Sequence, residues 1–188
     1  MSRLPLHTFE SAPEASRPFV EKAQANNGFL PNLVASLANA PTALETYLTV
    51  AAINGRSGLT LAEREIVQIT AAGIHGCGFC VAGHTAVALK KAQIDADSVE
   101  QARTQQPIGN PKLDAVARFT REVIATRGAV SDAQLATFRA AGYTEANALE
   151  VILGVSLATL CNFANNLSQN ELNPELAAYR WTPAAQPA

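Results

Sequence analysis

The apolar and polar positions of this chain follow helical rather than strand periodicity. Between Thr60 and Ile74 the apolar residues recur on one helical face, with Leu61, Ile66 and Ile69 among them. Alternating runs of β-branched residues bounded by turns, which are typical of half-buried strands, are nearly absent. The chain is therefore predicted to be all-α.

Residues that typically begin or end helices occur at regular intervals along the chain. Proline stands near the first position of three early helices, where its missing N–H costs no hydrogen bond. Thr60 with Glu63 and Ser131 with Gln134 have the pattern of capping boxes, and three glycines within 73–78 predict a break between two helices. Helices are predicted over about 13–26, after Pro31, over 41–54, from Thr60, over about 77–92, from Asp97 or Ser98, and over 110–127, 131–142 and 144–167.

This organisation divides the chain into three predicted parts. Residues 1–40 form an N-terminal arm with short helices, residues 41–170 form the helical core, and residues 171–188 form a C-terminal tail. The tail contains Pro174, Pro183 and Pro187 and is predicted to hold at most one helical turn, near Leu176.

A weak internal repeat is visible when the chain is compared with itself at an offset of 84 residues. Positions 60 to 84 then share five identities with positions 144 to 168. Glu65, Cys80 and His84 have no reactive counterpart in the second copy. The repeat therefore predicts a degenerate two-fold core in which one copy keeps the chemistry and the other supplies packing.

Composition narrows the classes of partner. Hydrophobic residues make up 48% of the chain and charged residues 16%, which leaves little polar surface for a monomer and favours a homo-oligomer. The net charge of −2 supplies no basic stripe, so nucleic acid is excluded as an expected partner.

No segment predicts export or a membrane span. The N-terminus carries Pro5 and Glu10 where a secretory signal has an unbroken apolar core. The most apolar stretch, residues 151–161, is about half of the roughly 20 residues that cross a bilayer. The expectation is a cytoplasmic protein without a membrane partner.

A dithiol, an imidazole and a carboxylate lie within twenty positions of one another. On a helix Cys77, Cys80 and His84 share one stripe, and Glu65 lies on the preceding helix. His84 is one turn from Cys80 and can exchange a proton with it, whereas Cys77 is two turns away. This spacing predicts Cys80 as the attacking thiolate and Cys77 as the resolving thiol, with Glu65 orienting His84 or completing a proton relay. Peroxide reduction requires these groups.

Glu65 followed by Cys77-x-x-Cys80-x-x-x-His84 resembles the signature of the alkylhydroperoxidase D group of the carboxymuconolactone decarboxylase superfamily. The resemblance covers about residues 60–90 by motif and implies an AhpD-like helical bundle. It implies that Cys80 attacks the peroxide, that Cys77 is its partner, that His84 is the general base or proton relay, and that Glu65 tunes it. It further implies a trimer or hexamer, and recycling by a dihydrolipoamide-type or thioredoxin-like thiol donor.

One position departs from this resemblance. The family's best-studied type has a histidine immediately before the second cysteine, and this chain has Phe79 there. His75 either substitutes for that histidine or is a helix-end residue. The cysteines also make decarboxylation of a lactone a weak alternative, because the superfamily's decarboxylases lack the pair.

Other interpretations of the motif remain open. The dithiol could serve a redox-sensing or protein-interaction module without efficient turnover, or Glu65, Cys77, Cys80 and His84 could bind zinc. Cys161 is predicted to be a buried small hydrophobic residue. No cofactor is expected for the peroxidase.

Overall fold

Helices account for all the regular secondary structure of the described part of the chain. The computed structural model describes residues 2–182, and those residues contain no β-strand, which confirms the all-α prediction. Two short 3-10 helices span Glu14–Ser16 and Pro174–Tyr179. The α-helices are α1 (Arg17–Asn27), α2 (Asn32–Leu37), α3 (Pro41–Asn54), α4 (Leu61–Ile74), α5 (Gly78–Lys90), α6 (Ala96–Arg103), α7 (Pro111–Thr126), α8 (Asp132–Ala140) and α9 (Glu145–Ser168).

Side-chain caps begin several of these helices. Thr60 and Glu63 form the predicted capping box of α4, and Ser131 forms the one that begins α8. α6 begins earlier than predicted, because Asp95 rather than Asp97 or Ser98 is its cap and accepts a hydrogen bond of 2.8 Å from the Ser98 backbone N–H.

The helix α4 lies at the centre of the fold. It packs against α5, α6, α7 and α9. α9 approaches it closely at Gly154, where an added Cβ would lie 2.9 Å from Val67 Cγ1, and Gln68 Nε2 donates a hydrogen bond of 2.9 Å to the Gly154 carbonyl. A side chain at position 154 would separate the two helices, so this glycine holds α9 against the helix that carries Glu65.

Two buried apolar clusters lie around α4. One gathers side chains of α4, α6, α7 and α8 around Ile66, Val116 and Phe138. The other gathers α1, α2, α3, α5 and α9 around Leu44 and includes all three cysteines. The dithiol is therefore part of a core cluster rather than of a surface loop.

The internal repeat differs between its two copies. Both copies begin with a threonine capping box, formed by Thr60 with Glu63 and by Thr144 with Asn147. The first copy then turns between α4 and α5, whereas the second continues without a break as the 24-residue helix α9. The turn that holds the cysteines has no counterpart in the second copy, which lacks the glycines of residues 73–78.

α9 is apolar on both faces. By length and composition alone it could cross a membrane, a test that core helices of soluble proteins also pass. Its inner face is buried, with Val151, Gly154 and Cys161, whereas Leu149 and Leu167 on the opposite face are exposed. The helix thus serves as a core element and leaves an apolar surface.

The C-terminal tail returns to α5. Its 3-10 helix Pro174–Tyr179 packs against α5 and is longer than the single turn predicted near Leu176. Arg103 Nη2 donates a hydrogen bond of 3.0 Å to the Arg180 carbonyl and holds the segment that follows. Pro183 and Pro187 lie outside the described residues.

Candidate active site

The turn between α4 and α5 brings the predicted site residues together. α4 ends at Ile74 with His75 as its C-cap, Gly76 follows with a φ of 67°, and the backbone N–H of Cys77 donates to the Ala72 carbonyl at 2.9 Å. A positive φ suits glycine, which lets the chain reverse within a few residues. This reversal places α5, with Cys80 and His84, directly against α4.

Cys77 caps α5 instead of lying within it. The residue has φ −89° and ψ 90°, and its sulfur accepts a hydrogen bond of 3.3 Å from the Cys80 backbone N–H. The prediction of a continuous helical stripe is therefore wrong for Cys77, although the sulfur still lies beside Cys80. A cap position aims unpaired backbone N–H groups at the sulfur, which favours its thiolate form.

The two thiols of the dithiol differ in acidity. The Cys80 thiol and the Cys80 backbone N–H both donate to the Cys77 sulfur, and these bonds lower the pKa of Cys77 against the opposing effect of burial. The same bond from its own thiol, together with burial, raises the pKa of Cys80. The first proton therefore leaves the pair from Cys77, and not from the cysteine nearer to His84 in sequence.

Glu65 and His84 are in direct contact. His84 Nδ1 and Glu65 Oε2 are 2.8 Å apart, with 32% of the histidine side chain and 10% of the carboxylate side chain exposed. Burial disfavours the charged imidazole, but the charge and hydrogen bond of Glu65 outweigh it and raise the pKa of His84. The carboxylate thus orients the ring and favours its protonated form.

Asparagines from α9 and from the segment directly after it complete the surroundings of the dithiol. Asn165 Nδ2 donates to the Cys80 sulfur at 3.2 Å, and Asn170 Nδ2 donates to Asn165 Oδ1 at 2.7 Å. His75 Nδ1 lies 2.9 Å from Asn162 Oδ1, so the ring is held at the end of α4. The sequence analysis did not assign these asparagines to the site; for Asn162 and Asn165 the signal was a polar residue in an apolar helix.

An apolar cavity opens beside Cys80 and His84. It has a volume of about 550 Å³. Its apolar lining includes Phe29, Leu33 and Leu157, with Lys90 and Lys91 also at its wall. Such a lining suits the organic part of a small substrate.

The half-buried residue Tyr47 also lines the apolar cavity. Its burial, together with the nearby cysteines and Glu65, raises the pKa of its hydroxyl, which therefore stays protonated. The sequence analysis did not single out Tyr47.

A second cavity opens beside Cys77. It has a volume of about 470 Å³ and is lined by polar and apolar groups of the end of α9 and of the tail. Cys80 does not line this cavity and Cys77 does not line the first, whereas Phe79 lines both. The dithiol therefore lies between two separate openings.

Comparison with known proteins shows the fold and finds a family match over part of the chain. Residues 38–122 match the carboxymuconolactone decarboxylase family, and this segment contains Glu65 and the whole dithiol turn. The structure is similar to an uncharacterized peroxidase-related protein with an alkylhydroperoxidase AhpD core from Ralstonia eutropha JMP134. The TM-score is 0.83 and the identity 23%, over 93% of this chain and 94% of that one. The fold of the described residues is therefore AhpD-like, and residues 38–122 are similar to the carboxymuconolactone decarboxylase family.

Other AhpD-like structures share this fold. An uncharacterized peroxidase-related protein from Silicibacter sp. TM1040 has a TM-score of 0.78 at 17% identity, over 95% of this chain and 94% of that one. The debrominase Bmp8 has a TM-score of 0.73 at 17% identity, over 93% of this chain and 94% of that one. Its C82A variant has been solved in complex with 2,3,4-tribromopyrrole. No curated protein matches the chain in sequence.

Cys161 is buried away from the dithiol turn in sequence and lies in α9. Cys161 is 5% exposed, which confirms its predicted burial, and burial raises the pKa of its thiol to about 12. All three cysteines are free thiols. Across residues 2–182, no group of three or more histidine, cysteine or acidic residues is arranged to hold a metal ion.

The difference in acidity between Cys77 and Cys80 predicts a titration in two steps. In a Cys161→Ser background, thiolate absorbance in the ultraviolet should rise at a pH below that of an ordinary thiol, because the folded-state pKa of Cys77 is lowered. A second step should follow at a pH above that of an ordinary thiol, from Cys80. Cys77→Ser in the same background is the control and should abolish the early step. One unresolved step at the pH of a free cysteine would contradict the assignment.

Proposed function

We propose that this AhpD-like protein is a cysteine-dependent peroxidase that reduces hydrogen peroxide or small organic hydroperoxides through the pair Cys77 and Cys80. The observation that carries the proposal is the position of Cys80. Its sulfur lies against the Cys77 sulfur on one side and lines an apolar cavity together with His84 on the other. A hydroperoxide in that cavity would meet a thiol that already has a resolving partner and an acid within one site.

The first chemical step is attack by Cys80. The Cys80 proton passes to the Cys77 thiolate, to which it is hydrogen-bonded in the resting state. The Cys80 thiolate then attacks the terminal peroxide oxygen, the O–O bond breaks, and a sulfenic acid forms on Cys80 while an alkoxide leaves. The alkoxide takes a proton from the His84 imidazolium, which Glu65 stabilises.

The second step closes the disulfide. The Cys77 thiol attacks the sulfenic sulfur of Cys80, and the thiol proton leaves with the hydroxide as water. The Cys80 sulfur is protected from further oxidation because its partner is already within hydrogen-bonding distance. A dithiol donor, of the dihydrolipoamide or thioredoxin type, returns two electrons and completes the cycle in the cytoplasm.

Phe79 gives this site a different character from one with a histidine at that position. The half-buried ring lies between the two cavities and lines both. An aromatic ring excludes water and carries no proton. The proposed relay therefore depends on Glu65 and His84 alone, since His75 is held by Asn162 and lines neither cavity.

AhpD-like proteins are commonly oligomeric, and α9 carries a surface that suits such assembly. Leu149, Ile152, Phe163 and Leu167 are exposed by 68%, 43%, 55% and 63% and lie on one stripe of the helix. The proposed occupant is a second copy of this chain, in a trimer or hexamer. Light scattering should give the molar mass of a trimer or hexamer, and Phe163→Asp should reduce the molar mass to that of a monomer. A parent protein that is itself monomeric would contradict the proposal.

Reductive removal of a halogen is a second candidate function. The observation that favours it is the aromatic and apolar lining of the Cys80 cavity, which includes Phe29, Tyr47 and Phe79. The balanced reaction would convert an aryl bromide and two thiols into the arene, hydrogen bromide and the Cys77–Cys80 disulfide. The structural similarity to a debrominase makes a brominated pyrrole the suitable probe.

Turnover distinguishes these functions. Protein, cumene hydroperoxide and an excess of dihydrolipoamide should yield many equivalents of the alcohol, and Cys161→Ser should match the parent protein. One equivalent without further turnover would favour the redox-sensing module, in which the disulfide changes assembly. Bromide release from the pyrrole without alcohol formation would favour dehalogenation, and stoichiometric zinc in the purified protein would support the zinc-binding alternative.

A further inference from the structure

The dithiol lies between the apolar cavity beside Cys80 and the second cavity beside Cys77, which is lined by side-chain amides and apolar groups and is called the groove below. This separation suggests that two different ligands bind, one on each side. We propose that a small dithiol donor binds in the groove beside Cys77 and attacks the Cys77 sulfur of the disulfide, while the hydroperoxide enters through the cavity beside Cys80. This inference rests on the proposed peroxidase function. It adds the site of the reductant and the sulfur that the reductant attacks.

The groove is built from groups that recognise an amide-bearing, flexible molecule. Asn166, Gln169 and Asn170 line it with side-chain amides, while Leu172 and Trp181 add apolar surface. Amide groups can donate to and accept from another amide, and the apolar groups can contact a hydrocarbon chain. A dithiol on an amide-linked aliphatic arm combines these features, and the volume of about 470 Å³ is that of a small-molecule site.

The tail forms one wall of the groove at close range. A Cβ built on Gly78 would lie 2.7 Å from the Trp181 carbonyl oxygen, so only a glycine lets the tail approach α5 here. The bond from Arg103 to the Arg180 carbonyl holds the same segment. The wall beside Cys77 is thus a packed part of the fold.

Both leaving sulfurs have a stabilising partner in this direction of attack. When the donor thiolate attacks Cys77, the S–S bond breaks and Cys80 leaves as a thiolate that accepts the hydrogen bond of Asn165. The second donor thiol then attacks the donor sulfur, and Cys77 leaves as the thiolate that the helix cap favours. The donor becomes a cyclic disulfide, two electrons pass to the protein, and the two donor protons return to Cys80 and His84.

Mapping the mixed disulfide tests the inference without any peroxide. Full-length protein is oxidised with diamide to the Cys77–Cys80 disulfide and mixed with N-acetylcysteamine, an amide-bearing monothiol that cannot complete the second step. After acid quenching and alkylation, peptide mass spectrometry should find the thiol on Cys77 and the alkyl group on Cys80. The monothiol on Cys80 would overturn the inference and leave the peroxidase function intact.

Two filling variants test the separation of the sites by kinetics. Gly83 lines the apolar cavity with open space around its Cβ position, and Asn166 is exposed in the groove. Gly83→Leu should raise KM for cumene hydroperoxide about tenfold and leave KM for dihydrolipoamide unchanged. Asn166→Trp should raise KM for dihydrolipoamide and leave KM for cumene hydroperoxide unchanged. Both variants raising the same KM would overturn the inference, as would reduction by thioredoxin but not by dihydrolipoamide.

Discussion

Replacing Cys80 with serine is expected to lower hydroperoxide consumption by at least about 10³-fold. The reason is that the attacking sulfur is lost, while the cavity, Cys77 and the contact between Glu65 and His84 remain. Alcohol formation from cumene hydroperoxide with excess dihydrolipoamide measures the effect. Cys161→Ser is the matched control, because it removes another buried cysteine that lines the same cavity.

The companion variant Cys77→Ser separates attack from resolution. It should still consume one equivalent of hydroperoxide in a single turnover, because Cys80 keeps its cavity and the hydrogen bond from Asn165. A dimedone adduct on Cys80 should then report the trapped sulfenic acid. An adduct on Cys77 in the Cys80→Ser variant, with none on Cys80 in Cys77→Ser, would reverse the proposed roles.

Such a reversal has a definite physical basis in this structure. Cys77 is the cysteine with the lowered pKa, whereas Cys80 is the cysteine beside the apolar cavity. Acidity therefore favours Cys77 as the attacking residue, whereas access to the cavity favours Cys80. We assign attack to Cys80 because a proton shared between the two sulfurs moves over a short distance, while Cys77 does not line the cavity with His84.

Removing the proton relay is expected to have the second largest effect. His84→Gln should slow hydroperoxide reduction by about 10²-fold, because the departing alkoxide loses its acid. Glu65→Gln should lower the rate of hydroperoxide reduction about tenfold, because it keeps the shape of the site and removes only the carboxylate charge. The two effects should not add in the double variant, because both residues act through the same imidazole.

The pH dependence gives a readout that a structural defect would not reproduce. Glu65 raises the pKa of His84, and the acid form of the ring is needed, so kcat/KM should fall as pH rises through this value. Glu65→Gln removes the carboxylate charge and should move this alkaline limb to lower pH. By the same linkage, the stability that Glu65 gives to protonated His84 is present at low pH and is lost as pH rises through the folded-state pKa. An alkaline limb that does not move in Glu65→Gln would contradict the relay.

Much of the fold was predictable because local signals and tertiary packing agree. Capping residues such as Thr60 and Ser131 stand directly before apolar periodic segments, and they begin α4 and α8. The contact between Glu65 and His84 could also be anticipated, since both residues lie on helices joined by one short turn. A glycine-rich turn between two apolar helices leaves few other ways to pack them.

Other parts of the site depend on contacts that sequence spacing does not show. Asn165 reaches Cys80 across 85 positions of the chain, and Tyr47 reaches the cavity from α3. The acidity order of the cysteines depends on Cys77 adopting an extended cap conformation, which three residues of spacing cannot reveal. The continuous α9, by contrast, was predicted over 144–167 from its helical pattern, and the structure confirms it.

The most direct test of the central claim is a thiol count after one equivalent of hydroperoxide. Reduced protein is mixed with cumene hydroperoxide in the absence of donor, then alkylated, digested and mapped by mass spectrometry. We expect one equivalent of alcohol, the loss of two thiols, a Cys77–Cys80 disulfide and an alkylated Cys161. Free thiols at both Cys77 and Cys80 after the hydroperoxide has been added would contradict it.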